Sequence, residues 1–239
     1  MHKGIFITGT DTGVGKTCIA AGLLRALKER GISVCPMKPV ESGCRMRNGS
    51  LIPEDAVTLL HASGAGETID TINPYRLKHP LAPGVAAEIE GIKIYKNKIR
   101  SAFRRLSKKY DLIIVEGAGG IMVPVFRKYL FLDLIDDLRL PVIIVSRPGL
   151  GTINHTLLTI DAARNRGLQV LGVIINYTAR TKRGLSETTN PDVIEKLGGV
   201  PVLGIVRYSK DPSSRQARIV YDRIAEQISR RVCAGCMTH

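Results

Sequence analysis

The sequence predicts an α/β fold in which helices cover both faces of one doubly wound, mostly parallel sheet. About six short apolar runs alternate with helix-forming stretches along the 239 residues, a pattern typical of parallel strands joined by helical crossovers. A glycine-bearing turn that ends in Gly-Lys-Thr follows the first of these runs. Together these observations predict a single domain over residues 1–239, of the phosphate-loop NTPase type.

This turn, residues 9–17, reads Gly-Thr-Asp-Thr-Gly-Val-Gly-Lys-Thr and is here called the P-loop. The β-forming residues 5–7 precede it, and apolar residues follow at helical spacing over residues 18–27. Backbone N–H groups at such a strand-to-helix turn bind phosphate oxygens. Lys16 can then reach the β- and γ-phosphates, and the Thr17 hydroxyl can ligate Mg²⁺. The P-loop therefore predicts a nucleotide site.

The spacing of the P-loop departs from the strict pattern. A glycine is expected six residues before the lysine, but Thr10 stands there, so five residues separate Gly9 from Gly15. A strand, turn and helix with incidental glycines is the alternative interpretation. It gives no reason for Gly-Lys-Thr at a helix start, and the phosphate site is therefore favoured.

A second strand is predicted over residues 33–37, after a first helix that ends near residue 31. Residues 38–43 follow as a loop at the carboxyl end of that strand, and they include Lys38 and Ser42. Doubly wound sheets collect ligands at strand carboxyl ends, so this loop can lie beside the P-loop. Spacing alone favours a plain surface loop.

A helix is predicted to open at Pro53 and to run through about residue 62, with Asp55 in its first turn. An acid at this position is also explained by its favourable interaction with the helix dipole. Three Xaa-Pro pairs interrupt residues 69–92, which we interpret as an irregular connection with a short helix around residues 86–88.

A strand over residues 110–120 ends in Glu116-Gly-Ala-Gly-Gly. In P-loop enzymes a strand of this kind runs beside the first strand and its terminal acid holds Mg²⁺, a role that Glu116 fits. The glycines leave space for a triphosphate. A strand that ends in a tight turn would explain the glycines but not the carboxylate.

The rest of the chain repeats the alternation of strands and helices. We predict strands over residues 140–146, 170–176 and 200–206. We predict helices from a glycine-containing start at 149–155 to about 167, over 191–197 and over 212–232.

The composition indicates a folded protein without a membrane span. Hydrophobic residues make up 44% of the chain, and no apolar stretch approaches the roughly 20 residues that a span needs. Residues 1–4 leave no room for a signal peptide, so we expect a cytoplasmic protein. Five irregularly spaced cysteines predict reduced thiols. Cys233 and Cys236 could be half of a zinc site, but a frayed tail from about residue 232 is favoured.

The net charge is +14, from 35 lysines and arginines against 21 acids. Such a charge suits nucleic acid, an anionic membrane surface or highly phosphorylated ligands. Basic residues are densest over residues 93–109, where apolar residues at helical spacing predict an amphipathic helix. We interpret its basic side as a solvated face, and we expect no membrane or nucleic-acid partner.

With these pieces in order, the chain resembles the dethiobiotin synthetase family of biotin biosynthesis. The resemblance covers nearly the whole chain, and its strongest parts are the P-loop with its five-residue gap and Val115-Glu-Gly-Ala-Gly-Gly. The order and spacing of the weaker motifs make the match specific. These motifs are Lys38-Pro-Val-Glu-Ser-Gly, Asn73-Pro-Tyr, Leu140-Pro-Val-Ile, Gly151-Thr-Ile-Asn-His and Ile175-Asn176.

The resemblance implies an ATP-dependent ligase that makes dethiobiotin from 7,8-diaminononanoate and CO₂ or bicarbonate, with Mg²⁺ as cofactor. The diamine takes up CO₂ as a carbamate, and ATP phosphorylates it to a carbamic-phosphoric anhydride. The second amine then closes the ureido ring, so that phosphate and ADP are released. The family also implies a homodimer in which the far carboxylate of the substrate binds to the partner subunit.

Roles for individual residues follow from the same resemblance. It implies that Lys16 and Lys38 are catalytic residues that neutralise charge on the γ-phosphate and the carbamate. Mg²⁺ would be held by Thr17, Asp55 and Glu116. The implied nucleotide-binding residues are Gly13, Val14, Gly15, Lys16, Thr17, Cys18, Asp55, Glu116, Gly117, Ala118, Gly119, Asn176, Tyr177, Val206 and Arg207. The implied substrate-binding residues are Thr12, Ser42, Gly151 and Asn154. Asn176 would read the adenine edge.

Two positions depart from the family pattern. Gly13 stands where family members often carry an acid, and Arg207 stands where a proline is usual, so the nucleotide preference stays open. A partition-type ATPase that binds DNA and a cobyrinate-type amidase are the alternative functions. Partition ATPases carry a second lysine at the position of Asp11, and the amidase needs a further glutaminase domain, so both fit the chain less well.

Overall fold

The computed structural model describes residues 3–181, 184–211 and 214–232. Its strands are β1 (Gly4–Gly9), β2 (Val34–Met37), β3 (Val40–Ser42), β4 (Arg45–Arg47), β5 (Ser50–Ile52), β6 (Tyr75–Leu77), β7 (Leu112–Gly120), β8 (Pro124–Phe126), β9 (Tyr129–Leu130), β10 (Val142–Ser146), β11 (Val170–Asn176) and β12 (Val202–Val206). Its helices are α1 (Lys16–Glu29), α2 (Glu54–Ser63), α3 (Ile69–Ile72), α4 (Pro83–Ile89), α5 (Lys96–Lys109), α6 (Phe131–Leu138), α7 (Thr152–Asn165), α8 (Leu185–Gly198) and α9 (Arg215–Val232).

Within the described residues, six strands form a central parallel sheet in the order β2, β7, β1, β10, β11 and β12. Strand β1 is buried along its whole length and lies between β7 and β10. Its apolar run is therefore the signature of a strand covered on both faces. The predicted α/β fold with a mostly parallel, doubly wound sheet is confirmed.

The alternation of side chains along β1 divides the core into two layers. Ile5 and Ile7 belong to the core on one face of the sheet, together with apolar residues of α1 and α9. Phe6 points to the opposite core, where its ring lies 6.0 Å from that of Phe131 on α6. The two cores fix the sheet between helices, and so they fix the position of the P-loop after β1.

The sheet order places the P-loop at the point where the chain changes direction. After β1 the chain crosses to β2 and returns to β7 on one side, whereas β10, β11 and β12 extend the sheet on the other side. In such sheets the crevice beyond the strand carboxyl ends at the reversal point binds ligands. Segments after β1, β2 and β7 therefore meet at one edge.

Three regions differ from the sequence-based predictions. Residues 69–92 hold α3, β6 and α4 rather than only a short helix, because β6 pairs in parallel with β3 of the supposed loop at 38–43. The predicted helix over 191–197 instead begins at Leu185, where the Gly184 N–H donates to Glu187 at 2.9 Å. Pro191 thus lies inside α8. The hairpin of β4 and β5 was also not predicted.

The ends of the chain and the cysteines can be compared with their predictions only in part. Cys18, Cys35 and Cys44 are free thiols. The predicted start of the last helix at Pro212 and the predicted tail with Cys233 and Cys236 lie outside the described residues. Among the helices that the structure describes, none has the length and apolar character to cross a membrane.

The packing of α1 against α9 leads to a testable prediction about stability. A Cβ atom added to Gly22 of α1 would clash with the Tyr221 ring of α9, so Gly22→Ala should destabilise the protein by about 1–3 kcal/mol. Urea unfolding measures this free energy. Gly66→Ala is the control, because a Cβ there meets no atom within 4 Å. Equal stabilities of the two variants would contradict the close packing.

Candidate active site

The P-loop is shaped to receive an anion at the start of α1. Gly13 and Gly15 have positive φ values of 75° and 87°, which glycine adopts without strain. The Lys16 ammonium folds back over the loop and donates to the Asp11 carbonyl oxygen at 3.2 Å. The first turn of α1 contains no acid and receives no side-chain cap. Its N–H groups and the helix dipole therefore favour phosphate oxygens.

A buried lysine joins two carboxylates beside the P-loop. The Lys38 Nζ atom lies 2.8 Å from Asp55 Oδ2 and 2.5 Å from Glu116 Oε1. It also donates to the Gly117 carbonyl at 3.4 Å, and Thr17 Oγ1 donates to the same Glu116 oxygen at 2.9 Å. The start of α1, the segment after β2, the start of α2 and strand β7 are thus brought together by charge-assisted hydrogen bonds.

Burial and neighbouring charges set the protonation of these groups. Burial disfavours the charged form of Lys38, but Glu116 and Asp55 outweigh it and hold the pKa of Lys38 above its usual range. Burial and the Lys38 ammonium together lower the pKa of Lys16 to about 8. Partial burial works against ionisation of Asp55, yet Lys38 keeps the pKa of that carboxyl below its usual value. The site therefore holds a permanent cation at Lys38 and a weaker one at Lys16.

The oxygen atoms around Lys38 could also hold a metal ion. The Oε2 atom of Glu116 is buried and has no hydrogen-bond partner in the described chain, although a buried carboxylate oxygen normally has one. The Thr17 hydroxyl and the Asp55 carboxylate lie beside this residue. Carboxylate and hydroxyl oxygens form the donor set that Mg²⁺ prefers, so the residues present fit the ion.

These groups open into a cavity of about 630 Å³. Of the sequence-predicted residues it is lined by Thr12, Gly13, Gly15, Lys16, Thr17, Lys38, Ser42, Asp55, Glu116, Ala118 and Gly119. The loop at 38–43 is therefore part of the site and not a plain surface loop. The alternative that spacing alone favoured is wrong, because β3 pairs with β6 and directs the loop towards the P-loop.

A second, smaller cavity of about 190 Å³ lies beyond Gly15, on the other side of the P-loop. The predicted residues Cys18, Asn176, Tyr177, Val206 and Arg207 line it. Its lining is more apolar than that of the larger cavity, which suits the flat face of a nucleotide base. The two cavities thus resemble a phosphate end and a base end of one nucleotide site.

Asn176 has a structural contact in addition to its place in the small cavity. Its Nδ2 atom donates to the Val14 carbonyl at 2.9 Å, and the residue is 2% exposed. One amide hydrogen therefore anchors the P-loop. Arg207 lies over the Tyr177 ring, with its guanidinium carbon 6.0 Å from the ring centroid.

Four predicted residues do not line either cavity. Val14 is buried beneath the P-loop, and Gly117 packs against the Phe6 ring, where a Cβ would approach to 2.9 Å. Gly151 and Asn154 are exposed at the start of α7. Any role of these last two in substrate binding therefore requires something other than the cavity of their own chain.

Several residues of the site were not found by sequence reasoning. Residues 80–83 line the larger cavity. The Gly43 N–H holds this segment in place by donating to the carbonyl oxygen of the neighbouring His79 at 3.1 Å. Glu41 also lines this cavity, and burial raises its pKa to about 7 although Lys38 opposes the shift. The prolines at 80 and 83 marked an irregular segment in the sequence. The position of this segment at the cavity is set by tertiary contacts, which the sequence pattern does not reveal.

A P-loop at the reversal point of a parallel sheet, with a lysine and two carboxylates beside it, defines a nucleoside-triphosphate-dependent P-loop enzyme. Accordingly, a family model described as an AAA domain matches residues 3–216. The chain is 46% identical over 215 residues to an ATP-dependent dethiobiotin synthetase of Thermodesulfovibrio yellowstonii, covering 87% of this chain and 90% of the relative. It belongs to the family of ATP-dependent dethiobiotin synthetases, and is thus an ATP-dependent ligase.

Of two further comparisons, the first supports the family and the second supports the fold. An ATP-dependent dethiobiotin synthetase of Methanocaldococcus jannaschii is 44% identical over 211 residues, which cover 87% of this chain and 95% of the relative. The structure of a ParA family ATPase from Chlorobium tepidum has a TM-score of 0.59 at 18% identity, covering 95% of this chain and 99% of the other. At that identity the likeness concerns the fold alone.

The lowered pKa of Lys16 leads to a prediction about proton uptake. At about pH 7 most of the free protein carries the Lys16 ammonium, so Lys16 should take up little proton on ATP binding there. Above pH 8 the free amine predominates, whereas phosphates stabilise the ammonium, so binding should take up close to one proton at about pH 9. Calorimetry in buffers of different ionisation enthalpy measures this uptake.

Lys28→Met is the control for this measurement, because Lys28 is an exposed lysine of the same helix. The control should show the same uptake as the unmodified protein. The assignment of a lowered pKa to Lys16 is contradicted if ATP binding at pH 9 shows no dependence on the buffer.

Proposed function

We propose that this chain converts 7,8-diaminononanoate, CO₂ and ATP to dethiobiotin, ADP and phosphate. The observation that carries the proposal is the meeting of the P-loop, Lys38 and Ser42 in one cavity with two carboxylates. The names of the most similar relatives support it. The protein would act in biotin biosynthesis as one domain over residues 1–239, in the cytoplasm.

The reaction makes two C–N bonds and uses one phosphoryl transfer. One amine attacks CO₂ and loses a proton, which gives a carbamate. A carbamate oxygen attacks the γ-phosphorus of ATP, so that ADP leaves and a carbamic-phosphoric anhydride forms. The second amine attacks the anhydride carbon and loses a proton, and the C–O bond to phosphate breaks as the cyclic urea closes. The site must therefore bind the carbamate and the γ-phosphate close together, although both are anions.

Lys38 and Lys16 would supply the positive charge that this arrangement needs. Lys38 is 2% exposed and remains charged at any working pH because of its two carboxylate neighbours. Its contact with Glu116 and its place in the same loop as Ser42 support a role at the carbamate. Lys16 would act on the γ-phosphate from within the P-loop. Charges that are already fixed in place stabilise the transition state without reorganising.

Thr17, Asp55 and Glu116 would hold Mg²⁺, which when bound neutralises charge that develops on the transferred phosphoryl group. The Lys38 ammonium lies between the Asp55 and Glu116 carboxylates. The arrangement of these two carboxylates therefore suits a cation, which supports their role as ligands of Mg²⁺.

The nucleotide would lie across both cavities, with its phosphates on the P-loop. Ala118 and Gly119 line the phosphate end, and Gly119 has a positive φ of 69°. Cys18, Tyr177, Val206 and Arg207 would enclose the base, and the Asn176 amide would read its edge. Thr12 and Ser42 would contact the diamine or its carbamate.

The far carboxylate of the substrate would bind at the start of α7 of the partner subunit in a homodimer. Gly151 has a φ of 87° and exposes the first turn of α7, where N–H groups favour an anion. Leu150 and Leu158 beside this turn are 93% and 60% exposed, as expected of a surface that contacts another subunit. Gly151 and Asn154 would then complete the site across the interface.

A partition-type ATPase that binds DNA is the second candidate, and the net charge of +14 favours it. Asp11 stands where that class carries a second lysine, and its carboxylate pairs with Arg147. We therefore propose no nucleic-acid partner and no membrane partner. ATP hydrolysis that depends on DNA and not on the diamine would favour the second candidate.

The main test of the proposed function is product formation. Protein incubated with ATP, Mg²⁺, bicarbonate and 7,8-diaminononanoate should yield the cyclic urea, which mass spectrometry detects. Lys16→Ala and Glu116→Ala should each lower turnover at least about 100-fold, because they remove electrostatic stabilisation of phosphoryl transfer. Glu54→Ala, an exposed acid, is the control. Turnover within twofold of the unmodified protein in either site variant would refute the assignment.

A second prediction separates the roles of the two lysines. Lys38→Gln should lower turnover at least about 100-fold, because the carbamate loses its counter-charge, but should leave ATP affinity within a few-fold. Single-turnover kinetics and calorimetry give the two quantities, with Lys28→Gln as the exposed control. The division of labour is wrong if Lys38→Gln weakens ATP binding as strongly as Lys16→Ala while turnover is preserved.

A third prediction concerns the shared site. Lys16→Ala and Asn154→Asp proteins should each be inactive, the latter because its new charge repels the substrate carboxylate. A mixture should regain activity, since a heterodimer holds one intact composite site. A mixture of Lys16→Ala with Glu116→Ala is the control and should stay inactive. Lack of recovery in the first mixture, despite demonstrated subunit exchange, would count against sharing.

A further inference from the structure

We propose that Glu41 is a positioning residue, which fixes the Asp55 carboxylate at the metal-binding oxygens through the backbone of α2. The proposal rests on the proposed function, in which Asp55 is a ligand of Mg²⁺. Glu41 does not itself act on the reacting atoms. It would set where α2 begins relative to the loop that carries Lys38 and Ser42.

The contacts of Glu41 are those of a helix cap supplied by another segment. Its Oε1 atom accepts a hydrogen bond from the Asp55 N–H at 2.9 Å, and its Oε2 atom accepts one from the Ala56 N–H at 3.0 Å. Pro53 precedes α2 and provides no side-chain cap. The first N–H groups of a helix need partners from elsewhere, and Glu41 supplies two from a distant strand.

The segment that carries Glu41 is itself held firmly. Strand β3 pairs with β6, and the Lys38 N–H donates to the Ile72 carbonyl at 2.8 Å. The buried side-chain amide of Asn73 donates to the Lys38 carbonyl at 2.7 Å. Glu41 is 5% exposed, and both of its carboxylate oxygens accept backbone hydrogen bonds. It therefore links a fixed strand to the helix end that bears Asp55.

The position of Asp55 needs such a link because its side chain is loosely enclosed. Its side chain is 42% exposed, whereas the Glu116 side chain is 1% exposed. The Lys38 ammonium contacts the Asp55 carboxylate, and a metal ion at that carboxylate would compete with this contact. The hydrogen bonds that Glu41 accepts act on the backbone, so they do not depend on which cation the Asp55 carboxylate contacts. Replacing a residue that orients a metal ligand typically weakens metal affinity 10- to 100-fold.

The test compares Mg²⁺-dependent and Mg²⁺-free nucleotide binding in Glu41→Gln. Glutamine keeps the shape of the side chain but presents an NH₂ group to one of the two N–H groups. Calorimetric titration with ATP should show an apparent Mg²⁺ affinity at least about tenfold weaker, with ATP affinity in EDTA unchanged within twofold. Amide exchange at Asp55 and Ala56 should accelerate.

Glu54→Gln is the matched control, because it removes a carboxylate charge at the start of α2 from a side chain that does not accept the Asp55 and Ala56 N–H groups. The Glu54 side chain is 66% exposed, and its Oε1 atom lies 3.8 Å from Arg45 Nη1. Mg²⁺ affinity should stay within twofold in this variant. If Glu41→Gln does not fold, Glu41→Asp replaces it, since the shorter carboxylate cannot reach both N–H groups and should show the same difference.

Asp55→Asn separates failure of this proposal from failure of the proposed function. If Asp55→Asn leaves Mg²⁺ affinity unchanged, the metal assignment itself is wrong and the proposal is overturned with it. If Asp55→Asn weakens Mg²⁺ binding while Glu41→Gln does not, the metal site stands and the positioning role is overturned. The positioning role is also overturned if Glu41→Gln and Glu54→Gln lose Mg²⁺ affinity equally. It is likewise overturned if Glu41→Gln loses ATP affinity in EDTA as much as it loses Mg²⁺ affinity.

Discussion

The buried ammonium of Lys38 is the constraint on which the rest of the site depends. A charge that is 2% exposed is tolerated only when opposite charges and hydrogen bonds compensate it. Glu116 arrives from β7 and Asp55 from α2, so three separate segments must be placed correctly at once. The central sheet and the cap on α2 are the means by which the fold satisfies this condition.

Those parts of the molecule that rest on local patterns could be predicted from the sequence. The apolar run of β1, the P-loop and the start of α1 are adjacent in the chain, so their sequence carries both their structure and their chemistry. Glu116 was visible because it ends an apolar strand with a carboxylate where a turn alone needs none. The central parallel sheet followed from the repeated alternation of such strands with helices, and the structure confirms it.

Features that depend on contacts between distant segments could not be predicted in this way. Glu41 has the sequence surroundings of a surface loop, and only the pairing of β3 with β6 turns it towards α2. Residues 80–83 looked irregular, yet their place over the cavity is set by contacts with the turn at Gly43. The start of α8 was missed because Pro191 suggests a helix beginning, whereas the helix starts at Leu185, where Glu187 accepts a hydrogen bond from the Gly184 N–H.

The contact between α1 and α9 has a consequence for how the protein acquires its nucleotide site during synthesis. Tyr221 of α9 packs against Gly22, donates to the Cys18 carbonyl at 3.3 Å and lines the smaller cavity. Among the described elements α9 leaves the ribosome last. The base pocket of a nascent chain therefore lacks one wall until α9 has been synthesised and has docked.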